Sequence, residues 1–312
     1  MAFEHLKGRD LLRGTDWSAD DTLAVLDVAD RLKRERHDGV PHRLLEGRTL
    51  GMIFAKPSTR TRVSFAAGIA QLGGTALPLL ESELHLARGE TLADTARMLS
   101  RYVDAVVVRT FRQADVEELA EHANIPVING LTDDFHPCQA LADVMTIRER
   151  LGRLDGVRVG YVGDGNNVCH SLMVACTVLG MGVVAATPPG YEPDEEVTAW
   201  ARTAAAASGG SVELVRDPAE AADAADVLYT DVWTSMGQEV ESARRLIDFA
   251  GYCVDRELVA LASERAIVLH CLPAHRGEEI AADVLDGRRS AVWDQAENRL
   301  HAQKALMALV VR

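Results

Sequence analysis

Long apolar runs are missing from this chain: none approaches the roughly 20 residues that cross a bilayer, so no membrane helix is expected. The opening Met1-Ala-Phe-Glu-His5 lacks a basic-then-apolar secretory signal. Positive charge is the minority sign. Lys and Arg number 33 against 47 Asp and Glu, a net charge of −14. That balance argues against nucleic acid as a partner. It also requires any anionic substrate to find a locally basic pocket, because the overall field repels it. Cysteines are few. Cys138, Cys169, Cys176, Cys253 and Cys271 are odd in number, scattered, and form no Cys-x-x-Cys pair. This reads as a reduced, cytoplasmic setting without structural zinc. The glycine-rich loop ending in Gly-Lys-Ser/Thr that marks nucleotide hydrolases is absent as well.

What is present is a globular composition, 47% hydrophobic and 26% charged over 312 residues, enough for about two domains. Ser18-Ala-Asp-Asp21 has the form of a helix start, and a helical face continues through Leu23, Leu26, Val28 and Leu32. Strand and helix patterns then alternate. Strands are expected near 50–55, 75–80, 105–109 and 126–129, with helices near 58–72, 92–102 and 114–123. A longer helix, about 137–150, ends at the turn Leu151-Gly-Arg-Leu-Asp-Gly156. A second alternation places strands near 157–162, 182–187, 211–215, 226–230, 266–270 and 290–293. Its helices fall near 167–179, 195–208, 219–224, 255–263 and 278–285, and an amphipathic helix over about 296–311 closes the chain. Such alternation predicts an α/β fold: two doubly wound parallel-sheet domains linked by helices. The domains are expected at 1–140 and 141–312, with the last helix, about 295–312, returning to pack on the first. Ligands of such sheets sit at the carboxyl ends of strands.

Candidate site residues are therefore sought where strands run out. Ser58-Thr-Arg-Thr-Arg62 follows the apolar strand Thr49–Phe54 and opens a helix. Free N–H groups, a positive dipole end, hydroxyls and guanidinium groups together suit a phosphate; the alternative is a capped helix with surface arginines. Arg109 ends the strand Ala105-Val-Val-Val-Arg109, as a surface residue or as a site residue. His136-Pro-Cys-Gln139 opens a further helix, with Pro at its favoured first position. His136 and Gln139, one turn apart, can both donate to a carbonyl oxygen, or can be an ordinary cap. Gly163-Asp-Gly-Asn-Asn167 tempts a dinucleotide reading, but Val168 stands where the third glycine belongs, and no acid ends the next strand. Asp231, after a strand, suits an ammonium ligand or caps the next helical segment, and Ser235 can add a hydrogen bond. His270-Cys-Leu-Pro273 leaves another strand. Cys271 is a site residue there or an inert small apolar one, and His270, Cys271 and His275 match no metal-ligand spacing. Arg299, in Asp294-Gln-Ala-Glu-Asn-Arg299, reads alone as a solvated arginine. It reaches the phosphate turn only if the last helix returns to the first domain.

Taken together and in this order, Ser58-Thr-Arg-Thr-Arg62, His136-Pro-Cys-Gln139, Asp231-Val-Trp-Thr-Ser-Met-Gly237, His270-Cys-Leu-Pro273 and Asp294–Arg299 resemble the aspartate/ornithine carbamoyltransferase family over nearly the whole chain. The first two motifs are shared across the family. The Ser-Met-Gly and His-Cys-Leu-Pro motifs point to its ornithine branch. The resemblance implies transfer of a carbamoyl group from carbamoyl phosphate to the δ-amine of ornithine, giving citrulline and phosphate in arginine metabolism. It implies that Ser58, Thr59, Arg60 and Thr61 hold the phosphate. Arg109, His136 and Gln139 bind and polarise the carbamoyl group, and Arg299 with the main chain at Cys271 and Leu272 completes that pocket. His85 matches a position that reaches the phosphate of a neighbouring subunit, which implies a homotrimer with a shared site. Asn167, Asp231, Ser235 and Met236 bind the amino-acid end of ornithine, and Asp231 and Cys271 orient the nucleophilic amine. Family members need no metal or organic cofactor, so none is expected. Two positions depart from many relatives: Ala55 and Ala66 stand where glutamates flank the phosphate motif. Rival acceptors on the same scaffold are lysine, putrescine or a specialised amine. A non-catalytic relative and a nucleotide-dependent oxidoreductase are the rivals from other classes.

Overall fold

The structure is a computed structural model that describes residues 3–56, 58–80, 89–235, 237 and 239–312. The chain forms two compact units, Met1–Leu141 with Arg299–Arg312, and Ala142–Asn298.

The first unit contains α1 (Ala19–His37), β1 (Thr49–Phe54), α2 (Thr59–Gln71), β2 (Thr75–Leu80), α3 (Leu92–Leu99), β3 (Ala105–Arg109), α4 (Gln113–His122), β4 (Val127–Leu131) and the start of α5 (Pro137–Leu151). Local chemistry starts α1. Ser18 Oγ accepts from the Asp21 N–H while Asp21 Oδ2 accepts from the Ser18 N–H, both at 3.1 Å, a reciprocal capping box. The strands are apolar and pair in parallel in the order β2-β1-β3-β4. β3 is buried along its whole length, as a parallel strand covered on both faces must be. Ile53, Val106, Val108 and Val127 form a core with Leu99 of α3 and Val116 and Leu119 of α4.

The second unit contains β5 (Arg158–Val162), α6 (Asn167–Val178), β6 (Gly182–Ala186), α7 (Glu195–Ser208), β7 (Ser211–Val215), α8 (Pro218–Ala222), β8 (Val227–Thr230), α9 (Ser242–Asp248), α10 (Arg256–Leu261), β9 (Ile267–His270), α11 (Ala282–Leu285) and the first turns of α12 (Val292–Val310). Its sheet is also all parallel, in the order β7-β6-β5-β8-β9. Val162, Val184, Leu228 and Val268 meet Trp233, Phe249, Ile280 and Leu285 in its core.

Three sequence expectations change. The strand expected near 290–293 is a single bridge between Ser290 and Val268, and α12 begins at Val292. Arg289 O and the Ala291 N–H bond Val268, after which the Gln295 N–H turns back to Ala291 O and starts the helix. A short apolar run such as Ala291-Val-Trp293 fits either state until its neighbours decide. The helix expected over 278–285 shrinks to Ala282–Leu285, because the main chain at Glu279 and Ala281 bonds Val254 instead. The last helix is not amphipathic beyond Arg299: His301, Gln303 and Lys304 are as buried as Leu306 and Val310. This part of α12 packs within the first unit, where Lys304 Nζ lies 2.9 Å from His42 Nε2 and donates to Gln71 Oε1 at 3.0 Å. Burial pushes the Lys304 ammonium down to about 8.

One close approach fixes the second sheet. A Cβ on Gly160 of β5 would lie 2.1 Å from Ala221 O of α8. A backbone oxygen cannot retreat as a flexible side chain can. Gly160→Ala is therefore expected to cost about 3 kcal/mol, the upper end of ordinary overpacking, read from the shift in urea midpoint.

Candidate active site

In the first unit the strand order reverses between β1 and β3, and the carboxyl ends there define the binding crevice of an open parallel sheet. Hydrogen bonds lace these exits together. The Ala55 N–H donates to Arg109 O at 2.8 Å and the Thr110 N–H to Leu131 O at 3.1 Å. Beyond β1, Ser58 is the N-cap of α2 in extended conformation, and its side chain makes no cap hydrogen bond. The first turn of α2 thus directs its N–H groups and dipole at this crevice, with Ser58, Thr59, Arg60 and Thr61 around them. At the end of β3 the pairing slips. Val108 faces Asn129, but Arg109 faces Leu131, so Gly130 is an extra residue in β4. Such a bulge re-aims the side chain beside it. Beyond β4, the Thr132 N–H donates to Phe135 O at 2.8 Å, and Thr132 Oγ1 donates to Gln113 Oε1 at 2.8 Å. That tight loop presents His136 as the residue before Pro137 at the start of α5, with Gln139 one turn on. Arg299 arrives from α12 and its Nη2 donates to Thr61 Oγ1 at 2.7 Å.

Arg109 and Arg299 are only 5% and 3% exposed, which overturns the surface reading of both. His136 is buried too, and burial with the charges of Arg299, Arg109 and Arg60 holds its imidazole well below the usual histidine range. Arg60, Arg109 and Arg299, all expected site residues, are therefore within electrostatic reach of His136. The neutral ring can donate to an acceptor in the crevice, whereas the imidazolium form is disfavoured. Burial drives the neighbouring Cys138 thiol up to about 12, so it is an inert core group. Lys56 was not expected here. It is buried beside the turn, paired with Asp133, with its ammonium 4.3 Å from the Phe111 ring centroid. Its only signal in the sequence is its place two residues before Ser58.

The second unit repeats the plan. Its strand order reverses between β5 and β8. Asp231 follows β8 and is 4% exposed. Its Oδ1 accepts from the Val232 N–H at 2.8 Å and from the Cys271 thiol at 2.9 Å, and its Oδ2 accepts from Asn166 Nδ2 at 2.8 Å. Asn166 is itself the N-cap of α6, its Oδ1 accepting from the Val168 and Cys169 N–H groups. Asn167, the expected residue, opens α6 directly after it and is half-buried. Sequence reasoning missed Asn166 because its cap role and its contact with Asp231 use opposite ends of one amide. Arg245 was also missed. It donates to Asp164 Oδ2 at 2.7 Å and to Trp233 O at 2.8 Å, tying the loop before Ser235 to the turn after β5. Burial pushes Asp164 up to about 6 although Arg245 pulls it down. Ser235 is half-buried, and Cys271 and Leu272 leave β9 beside Asp231. His85 and Met236 lie outside the described residues.

Two trios of ligand-type groups occur among the described residues, Asp231 with His270 and Cys271, and His275 with Glu278 and Glu279. In the first, both ring nitrogens of His270 are engaged, Nδ1 by the Leu272 N–H at 2.8 Å and Nε2 by Glu279 Oε1 at 3.0 Å. That leaves the imidazole no lone pair for a metal.

Residues 9–149 match the family model for the aspartate/ornithine carbamoyltransferase carbamoyl-P binding domain, and residues 155–310 match that for the Asp/Orn binding domain. The chain is 59% identical to the anabolic ornithine carbamoyltransferase of Pyrococcus furiosus over 306 residues, 98% of this chain and 97% of that protein. It is 55% identical to the ornithine carbamoyltransferase of Bacillus subtilis, covering 98% of this chain and 95% of that one. Among solved structures, the Pyrococcus furiosus enzyme superposes with a TM-score of 0.95 at 59% identity, covering 98% of both chains. The Thermus thermophilus ornithine carbamoyltransferase gives 0.88 at 42% identity, covering 97% of this chain and 99% of that one.

The depressed His136 predicts an acid-side loss of stability. In the unfolded chain the ring takes a proton as pH falls through about 6.5, while in the folded chain it does not. The unfolded state then binds more protons, so this group's contribution is present above pH 6.5 and is lost below it, at up to about 1.4 kcal/mol per pH unit. Urea unfolding from pH 7.5 to 5 is expected to show a shallower decline for His136→Asn than for the parent chain. Parallel declines would contradict a neutral buried ring.

Proposed function

The chain belongs to the aspartate/ornithine carbamoyltransferase family, and on that basis we propose that it transfers the carbamoyl group of carbamoyl phosphate to the δ-amine of L-ornithine, giving L-citrulline and phosphate in arginine metabolism. The observation that carries the first half of this reading is the arrangement of Arg60, Arg109 and Arg299 around one neutral imidazole beside a helix N-terminus. In a chain of net charge −14, such a concentration of cations suits a dianionic ligand. Ser58, Thr59, Arg60 and Thr61 take the phosphate. Arg109, His136 and Gln139 donate to the carbamoyl oxygen, and Arg299 supports both through Thr61.

Asp231 takes the amino-acid substrate. Its carboxylate is held in place by Asn166, Cys271 and the main chain before any ligand arrives, so little ordering is left for the binding step. Asn167, Ser235 and Met236 complete this subsite and Cys271 helps to orient the amine. The δ-amine nitrogen attacks the carbonyl carbon and the bond from that carbon to the phosphate oxygen breaks. Negative charge builds on the carbonyl oxygen and on the departing phosphate, where guanidinium and imidazole donors face it. The free amine has a reference pKa of about 10.4, so a proton must be lost on the way. The guanidinium groups around His136 oppose its becoming imidazolium, which favours the leaving phosphate as the acceptor of that proton.

The assembly that goes with this reading is a homotrimer, with His85 of each subunit serving the phosphate site of its neighbour. The setting is the cytoplasm, consistent with five free cysteines. No helix among the described residues is long and apolar enough to cross a membrane. Sedimentation at three times the 33.8 kDa chain mass is the expected result for the assembly.

Amine-dependent phosphate release from carbamoyl phosphate is expected to be fastest with ornithine, where it accompanies citrulline, and slower by at least about tenfold with lysine for its extra methylene. Putrescine, which lacks the groups that Asp231 and the loop after it recognise, is expected to be slower still. A faster rate with lysine or putrescine would overturn the choice of acceptor. Arg109→Ala removes one donor worth about 3 kcal/mol in the transition state, so turnover is expected to fall by roughly a hundredfold or more. Full turnover in that variant would remove Arg109 from the machinery.

A further inference from the structure

We infer that Glu279 and His270 are a positioning pair for the Cys271–Leu272 turn, holding the thiol against Asp231. The bond pattern fixes the direction of the chain of contacts. The Leu272 main-chain N–H, which can only donate, lies 2.8 Å from His270 Nδ1. Nδ1 must accept, so the ring proton sits on Nε2, 3.0 Å from Glu279 Oε1. The same carboxylate oxygen accepts from the His275 N–H at 2.5 Å, and the side chains of Glu279 and His270 are fully buried. One acceptor therefore pins both ends of the segment from His270 to His275.

That segment needs pinning. Leu272 has φ +59°, a left-handed conformation that costs a branched residue roughly 1–2 kcal/mol. The turn stays in it because the Leu272 N–H has a buried acceptor waiting. On the other side of Cys271, the His270 N–H donates to Gln295 Oε1 at 2.9 Å, and Gln295 Nε2 donates to Asp143 Oδ1 at 2.7 Å. The residue that carries the thiol is thus clamped on both sides by buried polar groups, and its Sγ comes to 2.9 Å from Asp231 Oδ1. Glu279 touches neither Asp231 nor the thiol; its effect passes through the ring and the turn.

The test uses the full chain and two substitutions that both remove the charge. Glu279→Gln keeps an oxygen acceptor for His270 Nε2–H, whereas Glu279→Leu keeps the volume and loses the acceptor. Alkylation of Cys271 by iodoacetamide, followed peptide by peptide, reports on the turn without any substrate. Loss of the acceptor shared by His270 and His275 is expected to speed Cys271 alkylation at least about tenfold in Glu279→Leu, with Glu279→Gln staying within about threefold of the parent. The buried thiols of Cys138, Cys169 and Cys176 serve as the control for unfolding. Equal Cys271 rates in the two variants, or no change in Glu279→Leu, overturn the inference. If the buried thiols of Glu279→Leu also react, His270→Leu, which has no side-chain acceptor for the Leu272 N–H, decides: Cys271 alkylation faster by at least about tenfold supports the pair, and an unchanged rate overturns it. A second readout rests on the proposed reaction. Glu279→Leu is expected to raise KM for ornithine by about tenfold while KM for carbamoyl phosphate stays within about twofold, and Glu279→Gln is expected to restore the former. Absence of citrulline from the parent chain would refute the proposed reaction, and the alkylation rates would still decide the positioning pair.

Discussion

Like charges held close together are unfavourable, and the first unit holds three guanidinium groups where they all act on His136. Two of them, on Arg109 and Arg299, are buried. Nothing in packing asks for this. Buried cations cost free energy unless a partner neutralises them, and well-packed apolar side chains in their place would have been the stabilising choice. On the proposed reading, such a gathering of cations suits a dianionic phosphate ligand. The neutral state of His136 follows from the same crowding. So does the need for rigid supports: the exits of β1, β3 and β4 are bonded to one another, and Arg299 is tied to Thr61. A loose pocket would let the guanidinium groups drift apart into solvent.

The second unit solves the opposite problem, holding one carboxylate where it can meet a cation. Asp231 is nearly buried, and its oxygens are satisfied by an amide, a thiol and a main-chain N–H rather than by a fixed positive charge. Neutral donors stabilise a carboxylate without cancelling its charge, so it can still attract an ammonium group. The arginine of this region, Arg245, is committed to Asp164 and Trp233 O, which keeps it from neutralising Asp231. Tyr229, Asp143, Gln295 and His270 continue the polar network into the sheet, so that strand exits, caps and turn form one hydrogen-bonded frame.

Much of this was legible in residue order. Parallel strands buried on both faces read as apolar runs, and β1, β3, β5, β8 and β9 each end where the run ends. A strand's carboxyl end is a place in sequence as well as in space, which is why Ser58, Arg109, Asp231 and Cys271 could be picked out one by one. Ser290–Trp293 failed because three apolar residues suit a strand or a helix equally, and the bonding of Val268 decided between them. Arg299 was misread in isolation because its neighbours in sequence, Asp294, Glu297 and Asn298, are those of an exposed helix. Its burial comes from the surface on which the second half of α12 lies.

Residue order alone thus determined the strand-helix alternation, the strand ends that bound the crevices of such sheets and the signs of charge gathered at those ends. These are properties of neighbours in the chain, and periodicity and capping express them directly. Tertiary structure decided which distant side chains complete each other: Arg299 with Thr61, Asn166 with Asp231, Arg245 with Asp164, and Glu279 with His270. Such pairs span from 9 to 238 positions and obey no period, because a hydrogen bond depends on where two atoms lie in space and is indifferent to the length of chain between them.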